Sequence, residues 1–257
     1  DATWLDYEAT VSTSSDQIAL APGTRDSTWT EDGRRYAHFH TTAPTLGFFS
    51  FLSADYAVDR STWRPDSLNE GRPVDVEVYH HPSHDYNVER MAEAVRHSLR
   101  YYTRHFGPYQ SEQVRIAEFP RYASFAQSFL GTIPYSEGIG FIARVDPETD
   151  IDYPYYITAH EMAHQWWAHQ VVSGPVYGAT MLVETLSQYS ALMVMEEAYG
   201  RKKMKRFLEY ELDQYLTGRA QEARQENPLI DVTTGQSYIH YRKGSLVLYA
   251  LKDYLGE

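Results

Sequence analysis

Three side chains within five residues, His160, Glu161 and His164, and a fourth further on, Glu184, have the types and spacing of a metal-dependent hydrolytic site. On an α-helix, positions i and i+4 stack on one face, so both imidazoles of His160-Glu161-Met162-Ala163-His164 can converge on one metal ion. Glu161 points about 100° around the helix from His160, where it can reach a water beside the metal without displacing a ligand. It is the candidate general base. Glu184 adds an oxygen donor and leaves the fourth position of a tetrahedral zinc ion open, as a catalytic rather than structural site requires. The chemically silent alternative is an amphipathic helix whose histidines and glutamate are only solvated, or satisfied in a core.

Two helices have to position these groups. The run 155–169 contains no Gly or Pro, Asp150 or Asp152 can cap it, and Pro154 suits its first turn. A second helix over 181–199 has Thr180 as N-cap and Gly200 as its stop, which puts Glu184 about one turn in. A last helix, 240–255, starts near Tyr241, whose phenol could donate to an oxygen on which negative charge develops. With 22 tyrosines in the chain, simple packing is the competing reading for any one of them. Residues 131–142 combine turn formers with an apolar run and could form a sheet edge that pairs with an extended peptide, with Glu137 at its rim. The plain alternative is a hairpin carrying a solvated Glu137.

The remaining sequence supplies the scaffold. A net charge of −12 over 257 residues, with no basic stripe beyond 201–206, argues against nucleic acid or anionic membrane surfaces as partners. There is no cysteine, so disulfides and thiolate-bound zinc are excluded, and no stretch reaches about 18 apolar residues, so no membrane-spanning helix is expected. The chain opens at Asp1 in mid-pattern and reads as an excised piece. Residues 4–11 and 36–40 alternate as strands, and 46–52 is apolar enough for a buried strand. A boundary is expected within 61–72, which holds Pro65, Asn69 and Gly71, before a period-two strand at 74–79. A helix with one buried face spans 87–106, 114–119 is another strand, and a third charged helix covers 202–216 with Gly218 at its end. His80, His81, His84, His97 and His105 read as ordinary surface or capping histidines.

The order of these segments resembles the aminopeptidase-N and leukotriene-hydrolase family of zinc metallopeptidases, the gluzincins. His160-Glu161-Met162-Ala163-His164-Gln165-Trp166-Trp167 is similar to the family's HExAHQWF run, and Tyr241-Arg242-Lys243-Gly244 resembles its YxKG motif. Residues 131–138 occupy the place of its GxMEN strand, keeping Glu137 but not the Met or Asn. The resemblance covers about residues 36–257. It implies an α+β fold: a thermolysin-like catalytic domain over 61–257, preceded at 1–60 by the end of a β-rich domain. It further implies one Zn2+ held by His160, His164 and Glu184, with Glu161 as base and Tyr241 stabilising the transition state. The substrate would be a peptide whose α-amino group pairs with Glu137. Beyond the GxMEN strand, the sequence departs from the family in three further places. One extra residue separates His164 from Glu184, the NEGFA segment becomes Val183-Glu184-Thr185-Leu186-Ser187, and the acid that orients a ligand falls at Ala191. The variant segment is most similar to members fused to bacterial membrane permeases, which implies a domain held outside the membrane, with a cytoplasmic location as the alternative. A non-catalytic zinc domain that binds a peptide or partner, and a zinc endopeptidase, are the competing functions.

Overall fold

Residues 3–68 and 70–256 are described by a computed structural model; Asp1 and Asn69 lie outside them. The first part of the chain is all β: β1 (Trp4–Leu5), β2 (Glu8–Ser14), β3 (Ile18–Leu20), β4 (Thr24–Glu31), β5 (Arg34–His40), β6 (Thr45–Leu46) and β7 (Leu52–Ala54). β2, β5 and β4 form an antiparallel sheet, while β1 pairs with β6 and β3 with β7. The β4–β5 hairpin turns on Asp32 and Gly33, both with positive φ (48° and 74°), as an Asp-Gly hairpin turn needs. The apolar run 46–52 is not a buried strand. Its ends belong to two short strands with different partners, so the residues between must cross from one pair to the other. Phe48 and Phe51 are 45% and 58% exposed, and the Phe48 ring stacks on Phe129 with centroids 4.3 Å apart.

The main sheet has the order β11-β10-β9-β8, built from β8 (Ala57–Trp63), β9 (Val74–His80), β10 (Gln113–Phe119) and β11 (Thr132–Ser136). β9, β10 and β11 are parallel and β8 is antiparallel; β8 ends at Trp63, within the 61–72 segment. α1 (Val88–Phe106) is the crossover from β9 to β10 and packs on the sheet. The alternation of β9 predicts one buried face, yet every residue from Val76 to His80 is buried. The reason lies on the second face, where Glu77 meets Arg25 of β4 and Arg115 of β10: the N-terminal strands cover it.

α2 (Tyr153–Ala163) and α3 (Leu186–Tyr199) pack on α1 and on each other, and their buried aliphatic and aromatic side chains share one core with the sheet. α4 (Met204–Gln221) and α5 (Gly244–Leu255) complete the chain. α4 runs through Gly218 rather than ending there. A Cβ at that position would sit 2.5 Å from the Tyr238 Cβ, so the glycine serves close packing instead of a helix stop. Among the described residues no helix is long and apolar enough to cross a membrane.

Candidate active site

α2 starts as expected: the Asp152 carboxylate accepts the Tyr155 N–H at 3.2 Å, and Pro154 lies in the first turn, where its missing N–H is not needed. It stops earlier than the sequence suggests. After Ala163 the backbone bonds alternate in span, Trp166 to Ala163, Gln170 to Trp166, and His169 to His164, and the chain turns under the indole of Trp166, which donates to the Gly107 carbonyl at 3.0 Å. His160 and His164 therefore sit in the last turn of α2, both buried.

Glu184 comes from a π-helical segment, Met181–Thr185, that leads into α3, and Tyr241 from a second one, Tyr238–Lys243, that leads into α5. Thr180 does not cap its helix; its hydroxyl donates to the Val232 carbonyl at 3.2 Å. The two π-helical segments touch. The Thr185 hydroxyl donates to the His240 carbonyl at 2.6 Å, and a Cβ at Gly244 would lie 2.6 Å from the Thr185 Cγ2. Gly244 thus lets the backbones that carry Glu184 and Tyr241 approach.

The side chains converge. The Nε2 atoms of His160 and His164 are 3.0 Å apart, and the Glu184 Oε2 lies 3.5 Å and 3.3 Å from them. A tetrahedral ion with bonds of about 2.0–2.1 Å holds its donors about 3.3 Å apart. The Glu184 Oε2 is buried yet makes no hydrogen bond of good geometry, the condition expected of an oxygen whose partner is a cation. Two imidazoles and a carboxylate are the donor chemistry of zinc, so the residues fit that ion. Their proton affinities agree. Burial pushes His160 down to about 4, whereas His164, which burial alone would lower, is raised to about 9 by Glu184. Burial opposes ionisation of Glu184, but the imidazoles hold it far below the usual carboxylate range. A proton carried by either imidazole nitrogen facing Glu184 would have to leave when a metal binds.

His164 is steadied from behind by groups to which the sequence reading assigned no role. Its Nδ1 faces the Ser187 Oγ at 3.0 Å and the Trp167 carbonyl at 3.3 Å. Ser187 follows Glu184 by three residues, a spacing that on a helix places both on one side. Glu161 is buried, and burial raises it to about 7, against a lowering by His164 and by a hydrogen bond from the Ser128 backbone. Tyr241 stands over His160 with ring centroids 5.7 Å apart, and burial together with Glu184 pushes its phenol far above its ordinary value, so it remains a proton donor.

His160, Glu161 and Tyr241 open into a cleft of about 260 Å³ whose other walls include Ser124, Phe125, Ala126, Gln188 and Arg242. Roomier hollows, about 640 Å³ over α4 and α5 and about 750 Å³ beside residues 143–151, contain none of the donor groups. Size does not mark the site; chemistry does. Glu137 is not among the residues lining this cleft. Its Oε1 accepts the Arg121 N–H at 3.2 Å, and its Oε2 lies 3.8 Å from His84, which in turn bonds the buried Glu118 at 2.5 Å. The edge of β11 is likewise not free for a peptide. Gln127 donates to the Pro134 carbonyl at 3.1 Å and Ser136 to the Phe125 carbonyl at 3.0 Å, so the chain's own residues 125–129 occupy it.

Residues 86–257 match the profile of the peptidase family M1 domain. The chain belongs to peptidase family M1. Its α+β architecture agrees with solved members of that family. An M1 zinc metallopeptidase from Deinococcus radiodurans superposes with a TM-score of 0.68 at 19% identity, over 98% of this chain and 53% of that one. A mutant M1 zinc metallopeptidase from Deinococcus radiodurans bound to a Tyr-Ser-Ala substrate gives 0.67 at 17% identity, with the same coverage. Human endoplasmic reticulum aminopeptidase 2 is 25% identical over 195 residues, 72% of this chain and 20% of that protein. The chain thus spans about half of the solved M1 chains and a fifth of the human one.

Proposed function

We propose that this M1 domain hydrolyses peptide bonds, with one zinc ion held by His160, His164 and Glu184. When bound there, zinc supplies Lewis acidity toward a carbonyl and makes water a better nucleophile near neutral pH. Glu161 accepts the proton of the attacking water, for which a buried carboxyl with a pKa of about 7 is well matched, and returns it to the departing amine. Tyr241 donates its phenolic proton in a hydrogen bond to the oxygen on which charge accumulates. The observation that carries this reading is the meeting of three donors 3.0–3.5 Å apart with Glu161 and Tyr241 on the walls of one cleft. The test is Glu161→Gln: zinc content should stay at the wild-type level while turnover falls by about a thousandfold. Retained turnover in that variant rejects the role.

Removal of an N-terminal residue is the activity in the name of the human relative. A second reading, cleavage that needs no free amino terminus, is favoured by the position of Glu137, which pairs with Arg121 and His84 away from the cleft. A peptide amide and its N-acetylated twin separate the two. Cleavage of the free amine alone supports the aminopeptidase, comparable cleavage of both an endopeptidase, and cleavage of neither a binding domain.

A further inference from the structure

The antiparallel sheet of β2, β5 and β4 carries a second group of metal-ligating side chains, outside the residues matched to the M1 domain. His38 and His40 are two apart on β5 and so project from the same face. Asp26 lies at the bulge in β4, where the register shifts between Arg25 and Ser27. A bulge leaves its extra residue unpaired and re-aims the side chain. Here the Asp26 Oδ1 lies 2.8 Å from the His38 Nδ1 and its Oδ2 lies 3.3 Å from the His40 Nδ1. All three donor atoms fall within 4.8 Å of one another. Glu8 of β2, opposite His40 in the register, reaches diagonally and brings its Oε1 to 2.9 Å from the His38 Nε2.

The arrangement around His38 admits two explanations. A neutral imidazole has one N–H, yet both ring nitrogens of His38 face carboxylates. Either the ring is an imidazolium, or one nitrogen binds a cation while the other donates to the carboxylate behind it. The second is how ligating histidines are ordinarily held. A cation would in addition give His38, His40 and Asp26 one common partner, since the His40 Nδ1 lies 3.3 Å from the other oxygen of the same aspartate.

We propose that Asp26, His38 and His40 form a second divalent-metal site, with Glu8 as a positioning carboxylate. Two imidazoles and a carboxylate select zinc, nickel, copper or cobalt over magnesium and calcium. The site is partly open, Asp26 and His40 being 41% and 36% exposed, so water can complete the coordination.

Titration of the metal-free chain with zinc and then with nickel, followed by heat and by elemental analysis of bound metal, tests it. Wild type should take up two equivalents. His38→Ala/His40→Ala should lose one of them, and His160→Ala the other. Glu8→Gln should keep the stoichiometry but weaken the surface site by about 10–100-fold, the usual effect of removing an outer carboxylate. Equal uptake by wild type and by the His38/His40 double variant overturns the proposal. If that double variant loses its native circular dichroism, the near-isosteric His40→Gln decides: loss of an equivalent or of affinity supports the site, and unchanged binding overturns it.

Discussion

At the scale of single residues, the decisive contact is the one behind a ligand. Ser187 and the Trp167 carbonyl fix the His164 ring so that its Nε2 points at the shared centre. Ser187→Ala leaves the carbonyl in place, so zinc affinity should fall by about tenfold rather than vanish, as competition with a fluorescent chelator would show. Zinc should also stabilise the fold, since it binds only the assembled trio. At 100 times its Kd it should add about 2.7 kcal/mol. Thermal melts with and without a chelator would read this increment, and Glu184→Ala should abolish that site's share. No increment in wild type would remove the trio as a metal centre.

At the scale of elements, the site depends on how closely two π-helical segments approach. Glu184 and Tyr241 lie on different segments, and their meeting point is Thr185 against Gly244. In Gly244→Ala the new methyl group would fall 2.6 Å and 2.8 Å from the Thr185 side chain, so the segments must part. Overpacking of this kind costs about 1–3 kcal/mol, and a displacement of about 1 Å can lower turnover about 10²-fold. The expectation is a lower kcat with metal content retained, because the histidines on α2 are untouched. Adding Thr185→Ala should recover part of the turnover; full loss of metal in Gly244→Ala would instead mean that Glu184 moves with its helix.

At the scale of the whole molecule, a buried ionic cluster joins the N-terminal strands to the main sheet. Glu77 of β9 bonds Arg25 of β4 at 2.9 Å and faces Arg115 of β10, fully buried, at 3.4 Å. Arg115 also donates to the Gly23 carbonyl at 2.8 Å, so the two layers share one set of charges. Glu77→Gln leaves Arg115 buried without its counter-ion and should cost about 3–5 kcal/mol. Burial opposes the charge on Glu77, but Arg25 and the other neighbours hold its pKa below the model-compound value of 4.5. Its folded pKa is therefore lower than its unfolded one, so its stabilisation is complete above about pH 4.5 and is lost as pH falls through the folded value. Urea midpoints from pH 6 to pH 3 should show the gap between wild type and Glu77→Gln closing on the acid side. A gap independent of pH would assign the loss to packing.

The sequence by itself determined what repeats locally: the i, i+4 spacing of His160 and His164, an aspartate cap and a first-turn proline for α2, and the helix with one buried face over 87–106. Such features depend on neighbours within a few residues, and periodicity or turn chemistry states them directly. Only the tertiary structure decided which distant side chains share a space. It turned Glu137 toward Arg121 and His84, covered the β11 edge with residues 125–129, and set Ser187 behind His164. It also buried both faces of β9 and gathered Asp26, His38 and His40 on one sheet face. These outcomes depend on the register between strands and on which layer covers which, and no pattern within a single segment encodes either.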